Sequence, residues 1–504
     1  MRQRRSTIIT LAVLLIAVPV IALAQAPTSL TLNPTTVQGG QSSTGQVGLS
    51  GPAPAGGLAV DLSSSNAAVA TVPAKADVSA GVTALGFTVT TFPVAKTTDV
   101  TIKATAGGAN LTVQLTVLPP GLTAVTITPP SSIGAGVSVM VTGKVTLNGP
   151  APSAGLAVAL SSSNTAAATV PASVTVPAGA TTHSFKVNTN PVAQSAAVTI
   201  TATAGGVSRT GLLTVMPAIP VQVDLEPPFL VGGQNSTGEV DLNGPAPSGG
   251  LVVQLSSNAP AAAAVPASVT VAAGARKKTF AATTSPVAQS TTVTITASAG
   301  GVAETRNLTV HPPKPSSVTF APNPVTGGSS STGQVSLNGP APSGGLAVNL
   351  SSAAPAVAAV PASVTVAAGA TTKSFAVTTI SVPNPVVVPI TATGGSGTKT
   401  ASLTILPPVL SSVTLTPSSV SGSQGSTGQV SLNGPAPAGG RVVDLSSSNP
   451  AVAIVPEHVT VTAGATTKSF AVPTSGFLVT QSTDVTITAS AGGVSRTANL
   501  TVKP

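Results

Sequence analysis

The stretch Val293 to Ala297 reads V-T-I-T-A, and Leu308-Thr309-Val310 follows it closely. Successive side chains of an extended chain point to opposite faces. Val293, Ile295 and Ala297 therefore share one face, and Thr294 and Thr296 the other. Val269 and Val271 flank Thr270 in the same way. This period-two alternation marks half-buried strands. Val and Thr favour strands, and beyond the N-terminal apolar run no segment carries a convincing helical period. Gly-Gly pairs such as Gly107-Gly108 and Gly205-Gly206 separate the last two alternating runs and read as tight hairpin turns.

The pattern is written five times. The tetrapeptide G-P-A-P starts at Gly51, Gly149, Gly244, Gly339 and Gly434, with spacings of 98, 95, 95 and 95. Phe87, Phe185, Phe280, Phe375 and Phe470 show the same spacings, as do Pro73, Pro171, Pro266, Pro361 and Pro456. Length changes lie outside this frame, before the second G-P-A-P and around Pro473–Gln481, as expected of loops around a fixed core. A copy of about 95 residues exceeds the 20–45 of a solenoid repeat and suits an independent β-sandwich. In the first copy about seven strands are expected: Ser29–Leu32, Thr44–Leu49, Leu58–Ser63, a kinked strand through Val69–Val78, Phe87–Thr91, Asp99–Thr105 and Leu111–Val117. The expected boundaries are 27–118, 121–216, 219–311, 314–406 and 409–504. The joints are short and proline-rich: Leu118 to Pro120, Met216 to Pro220, His311 to Pro315, and Leu406 to Pro408.

Three runs of the last copy, L-S-S-S-N-P-A-V-A-I-V-P (Leu445 to Pro456), V-T-V-T-A-G-A-T-T-K-S-F (Val459 to Phe470) and V-T-I-T-A-S-A-G-G-V (Val485 to Val494), resemble the bacterial Ig-like repeat family. The resemblance covers all five copies. It implies an all-β chain of five tandem immunoglobulin-like sandwiches in an extended array. It also implies a place in the stalks of bacterial surface proteins and adhesins of the invasin and intimin types. Leu62, Leu160, Leu255, Leu350 and Leu445 stand where many members carry a tryptophan.

Composition narrows the chemistry. The 504 residues include no cysteine, tryptophan or tyrosine, 9 phenylalanines, and only 6% charged residues against roughly 25% in an average globular protein. Disulfides, zinc–thiolate sites, thiol nucleophiles and lipid-anchor cysteines are excluded. Three histidines and 11 carboxylates leave little for acid–base or metal chemistry. At the N-terminus, Arg2, Arg4 and Arg5 precede an apolar run from Ile8 to Ala24, followed by small-x-small sites at Ala22–Ala24 and Ala24–Ala26. This reads as a signal-peptide helix, residues 1–26, cleaved after Ala24 or Ala26; an uncleaved anchor is the alternative. Removing its arginines lowers the net charge from +9 to about +6, a weak field that gives no argument for nucleic acid.

Strand order places three recurring loops at the end of each sandwich that faces the preceding copy: G-P-A-P-x-G-G, the A-G-A-T turn and the Gly-Gly hairpin. With the proline joints they would stiffen the chain into a rod. The plainer reading is that G-P-A-P is a turn. The chain ends in L-T-V-K-P, where earlier copies enter a linker, so either a complete secreted rod or a truncated one is expected.

Polar residues can be checked against their counterparts. His183 stands where other copies have Leu85, Lys278, Lys373 and Lys468. His458 replaces Ser173, Ser268 and Ser363, and His311 replaces Leu118, Met216 and Leu406. The histidines lie in three copies, so a shared metal or triad site is not expected. Asp224 and Glu226 near the Pro217–Pro220 joint could hold a calcium, but no other joint carries the pair. Arg276-Lys277-Lys278 reads as a solvated turn, or else as a contact for an anionic polymer. Asn-x-Ser/Thr occurs at Asn110, Asn235, Asn307, Asn349 and Asn499, as Thr-rich strands produce by chance. Without Trp or Tyr, base or sugar stacking lacks platforms. No catalytic, cofactor-binding or metal-ligating residue is assigned, and no cofactor. The expected protein is an exported, non-enzymatic stalk or adhesion element at the cell surface or outside the cell. Its expected partners are surface or matrix proteins or polysaccharides, not nucleic acid, and it touches the membrane only through the N-terminal segment. The alternative is a secreted binding module recognising polysaccharide or a host surface through loops or a sheet edge.

Overall fold

A computed structural model describes residues 25–133, 140–475 and 479–504. The expected signal lies outside the described residues, apart from Gln25 and Ala26. Among the described residues every regular element is a strand, and no helix is long and apolar enough to cross a membrane. The chain is all-β, and each of the five copies forms two sheets. Its contacts divide it into two compact units, the first carrying repeats 1 and 2 together with Asn243–Leu251, and the second the rest of repeat 3 with repeats 4 and 5.

Repeat 1 shows the plan. Its strands are β1 (Pro27–Asn33), β2 (Thr36–Gln38), β3 (Ser42–Leu49), β4 (Leu58–Ser64), β5 (Ala70–Thr71), β6 (Lys75–Val78), β7 (Ala84–Thr91), β8 (Thr98–Ala106) and β9 (Ala109–Leu118). One sheet has the order β1-β3-β7-β5, the other β2-β9-β8-β4-β6. All pairings are antiparallel except that of β2 with β9. This is the two-sheet arrangement of an immunoglobulin-like sandwich.

The structure divides this repeat more finely than seven strands. The kinked strand through Val69–Val78 is two strands in different sheets, β5 pairing with β7 and β6 with β4. Pro73 stands between them and, lacking an N–H, cannot extend either ladder, so the chain crosses there. The first strand is divided too. After Asn33 and Pro34 the chain leaves β3 and pairs in parallel with β9 as β2. A buried serine holds this crossing: Ser43 Oγ donates to the Pro34 carbonyl at 2.7 Å. Ser236, Ser331 and Ser426 do the same for Pro227, Pro322 and Pro417 at 2.9, 2.8 and 2.7 Å.

The core between the sheets is aliphatic around one ring. In repeat 1, Val47, Val60, Val89, Val100, Ile102 and Leu115 are fully buried. Phe87 lies directly opposite Gly45 across β3 and β7. A β-carbon on Gly45 would overlap Cζ and both Cε atoms of Phe87, so the end of the ring fills the space over the bare glycine. The pairing recurs as Gly143 with Phe185, Gly238 with Phe280, Gly333 with Phe375 and Gly428 with Phe470. Each glycine stands 42 residues before its phenylalanine. In repeat 4, Phe320 adds an edge-to-face contact on Phe375, with centroids 6.4 Å apart.

The pair predicts two distinct losses. Phe375→Ala should lower the stability of repeat 4 by about 3–5 kcal/mol through the void it leaves. Gly333→Ala should cost about 1–3 kcal/mol by overpacking. Guanidinium unfolding of the full chain measures both; an unchanged first transition in either variant contradicts the packing described.

Candidate functional site at the joints between repeats

The chain has few charges to make chemistry, but its recurring loops converge. In repeat 1 the turn after β2 contains Gly39-Gly40, and Gly40 has φ of 92°. Thr91, at the end of β7, holds this turn: Gly40 N–H donates to its hydroxyl at 3.0 Å. Thr284 and Thr379 hold Gly233 and Gly328 in the same way at 3.1 Å. Those glycines have φ of 93° and 89°, a left-handed conformation that favours glycine.

On these bare α-carbons rests the proline of the next repeat's G-P-A-P. A β-carbon on Gly40 would stand 2.6 Å from Pro150 Cγ, and one on Gly233 2.6 Å from Pro340 Cγ. One on Gly328 would overlap the Pro435 ring. Every letter of the tetrapeptide has a task. Its glycine lets the backbone pass close to the preceding turn: a β-carbon on Gly434 would meet Thr326 Cγ2 at 2.9 Å and Gly327 O at 3.3 Å. Its alanine is buried and bonds to the A-G-A turn: Ala436 N–H donates to Ala465 O at 2.8 Å, and the Ala436 carbonyl accepts from Gly464 N–H at 2.9 Å. The carbonyl of its second proline closes the loop by accepting from Gly440 N–H. G-P-A-P is thus a turn and also the contact surface of a joint.

The residue before G-P-A-P clamps the linker. Asn148 Oδ1 accepts from Gly121 N–H at 2.7 Å, and Asn148 N–H donates to Gly121 O at 3.1 Å. Asn338 and Asn433 grip Lys314 and Val409 likewise, each with Oδ1 at 2.8 Å from the linker nitrogen. Asn433 also reaches repeat 4, its Nδ2 standing 3.5 Å from Thr326 Oγ1. Two polar bonds and a ring contact therefore restrain each of these linkers, beyond what its prolines do alone.

The residues singled out in the sequence remain dispersed. His183 is half-buried on the strand Thr182–Thr189, opposite Val145. His458 is exposed and faces Asp444 across a strand pair. His311 ends its strand at the joint of repeats 3 and 4, with Nδ1 3.0 Å from Ser290 Oγ. Asp224 and Glu226 lie on the strand Pro220–Glu226, not in a chelating loop, and Asp224 accepts from Gln222 Nε2 at 2.6 Å. Among the described residues no three His, Asp or Glu side chains gather as metal ligands would. Lys277 and Lys278 begin a strand, not a turn. Lys277 Nζ lies 2.6 Å from Glu239 Oε1 and 3.5 Å from Asp241 Oδ2. The hydrogen bond to Glu239 and the nearby Asp241 charge raise the Lys277 pKa above the usual lysine value. The middle of the basic triplet is therefore engaged within its own repeat. The five Asn-x-Ser/Thr asparagines all lie on strands, and Asn110, Asn307 and Asn499 accept from the Thr105, Thr294 and Thr486 hydroxyls.

Two features escaped the sequence reading. The clamps at Asn148, Asn338 and Asn433 were visible as an asparagine recurring before G-P-A-P in repeats 2 to 5, with Ser50 in repeat 1. Phe229 is 64% exposed, where other copies have Thr36, Ser131, Pro324 and Ser419. It supplies an aromatic surface that the lack of Trp and Tyr had argued against.

No family model matches the chain, and no curated protein does. Among solved structures the chain is similar to invasin, described as a bacterial integrin-binding protein, at 15% identity and a TM-score of 0.31, covering 75% of this chain and 79% of that one. It is similar to the Escherichia coli adhesin FdeC at 15% identity and 0.22, over 56% of this chain and 98% of that one. The D1–D4 fragment of ICAM-5 matches at 15% and 0.28, over 75% and 98%. Other matches are Ig-domain arrays: the N-terminal eight Ig domains of DSCAM, at 10% identity and a TM-score of 0.19, and Sidekick-1 immunoglobulin domains 1–5, also at 10% and 0.19.

The clamp predicts a local effect. Asn433→Ala should cost about 0.5–1.5 kcal/mol and speed cleavage between Leu406 and Leu410 by a nonspecific protease. Asn349→Ala, on an exposed strand position, should leave that cleavage rate unchanged. Equal rates in both variants would count against the clamp.

Proposed function

We propose that the chain is exported and works without catalysis, as a stalk or adhesion element at the cell surface or outside the cell. One observation carries this reading: what recurs from copy to copy is mechanical, and what varies is chemical. The phenylalanine, its glycine, the G-P-A-P loop and the Gly-Pro seating repeat along the chain. The histidines, most carboxylates and the basic triplet each occur in one copy only. Selection for a catalytic site would assemble such groups in one place; a spacer needs a stable sandwich and a firm joint, repeated. The Ig-domain neighbours are consistent with this reading. The N-terminal arginines and apolar run support export.

A second reading, a secreted module binding polysaccharide or a host surface, is favoured by Phe229. An exposed ring beside Arg306, Asn307 and Thr305 offers an apolar face with polar groups at its rim.

Both readings require export. We expect the mature protein to begin at Gln25 or Pro27, read by mass spectrometry, and to be labelled by impermeant reagents on intact cells. Protein confined to the cytoplasm with an intact Met1 would overturn both. Recovery only from culture supernatant would favour the binding module. A glycan array then tests that module, with loss of signal expected in Phe229→Ala.

A further inference from the structure

A cleft of about 270 Å³ opens at the joint of repeats 3 and 4, lined by Val231, Ser290, His311, Pro312, Lys314 and Asn338, with the Gly395-Ser396 turn at its edge. Two of these residues are peculiar to this joint. His311 replaces the leucine or methionine of the other linkers, and Lys314 replaces Gly121, Ile219 and Val409. Val231 matters through what it lacks. At the next joint Thr326 occupies its place and accepts from the Asn433 amide. Asn338 has no such acceptor. Its Oδ1 is committed to Lys314 N–H, and its Nδ2 makes no hydrogen bond among the described residues. Lys314 Nζ likewise has no ion pair or hydrogen bond there. Its stem lies along Gly397, where a β-carbon would stand 2.7 Å from Lys314 Cβ.

The cleft thus gathers the Lys314 side chain, the Asn338 amide N–H₂ and a serine hydroxyl and imidazole bonded to each other (Ser290 Oγ to His311 Nδ1, 3.0 Å), and no carboxylate lines it. The repeat 4 side of the joint agrees. From Thr305 to Val443 the sequence contains no Asp or Glu, but includes Arg306, Lys314, Lys373, Lys399 and Arg441. Two donors without partners, the Lys314 ammonium and the Asn338 amide, with no carboxylate in the lining, suit a ligand that is negative and accepts hydrogen bonds. The volume is below the roughly 300–1,000 Å³ of pockets for whole drug-sized molecules, and suits a single charged group. We propose that this cleft binds one oxyanion, a sulfate, carboxylate or phosphate, either as a free ion or as a pendant group of an acidic polysaccharide. The site does not depend on the stalk role, since it needs only the joint. It gives this joint a ligand that the joint of repeats 4 and 5, with Val409 and Thr326, does not take.

Calorimetry of the full mature chain at low salt tests the site, with inorganic sulfate, sulfated dextran and uncharged dextran as probes. Saturable binding of sulfate or sulfated dextran, and none of uncharged dextran, is expected. Lys314→Gln should weaken it about tenfold or more, the loss of one charge-assisted hydrogen bond. Val231→Thr, which returns an acceptor to Asn338 without changing charge, should weaken it several-fold. Lys103→Gln removes the same charge from an exposed strand position of repeat 1 and should stay within about twofold. A response to both charged probes identifies the group in either setting, and a response to sulfate alone identifies the free ion. No saturable heat, or equal losses in Lys314→Gln and Lys103→Gln, overturns the proposal.

Discussion

A phenyl ring filling the space over a bare glycine is the contact on which each sandwich depends. The core is otherwise Val, Ala, Leu and Ile, whose side chains fill little volume singly. One ring from β7 fills the position that a β3 side chain would occupy, so ring and glycine specify each other. Register follows: shifting β3 by one residue would put a polar side chain under the ring and turn its valines outward. With that register set, the turns at both ends of the β3–β7 pair have defined places. One is the Thr-held Gly-Gly turn; the other is the A-G-A turn that carries G-P-A-P.

The joints extend this economy of side chains. A proline ring against a glycine α-carbon needs no charge and loses little rotamer freedom on contact, because neither residue has much to lose. The asparagine clamp adds direction by fixing both polar groups of one linker residue. A chain with so few charged groups thereby gains interfaces that salt does not screen. The same small residues leave space where a copy departs from the pattern. Val231, where the next joint has Thr326, and Lys314, in place of a neutral linker residue, leave one joint with a cleft holding two unpartnered donors, while Pro340 keeps its seat on Gly233.

Much of this was legible in the residues. Alternation of Val293, Ile295 and Ala297 with threonines is a direct print of the pleat, and spacing constant to the residue showed five copies of one fold. The position of the G-P-A-P loop followed from strand order. What escaped was local or cooperative. Pro73 and Pro34 each move the chain between sheets, which alternation cannot reveal because both sides of the crossing still alternate. Gly45 and its counterparts were hidden because glycine carries no periodic signal, although the constant interval of 42 to the phenylalanine was available. The engagement of Lys277 by Glu239 and Asp241 pairs strands far apart in sequence and could be seen only after folding.

The seating glycine is not universal. Ser423 takes its place in repeat 5 and holds a φ of 58°. The turn survives, since Thr474 Oγ1 still donates to Gln424 O at 2.8 Å, but it now carries a β-carbon where a proline ring would rest. Tandem copies this similar are prone to unequal recombination, which shuffles, deletes or multiplies them. Such events are neutral for the fold, because every copy encloses its own core. They are not neutral for the joints. A shuffled gene that placed repeat 5 ahead of another copy would bring an incoming proline onto Ser423. The copies are interchangeable as sandwiches and ordered as neighbours, and a single side-chain carbon marks the difference.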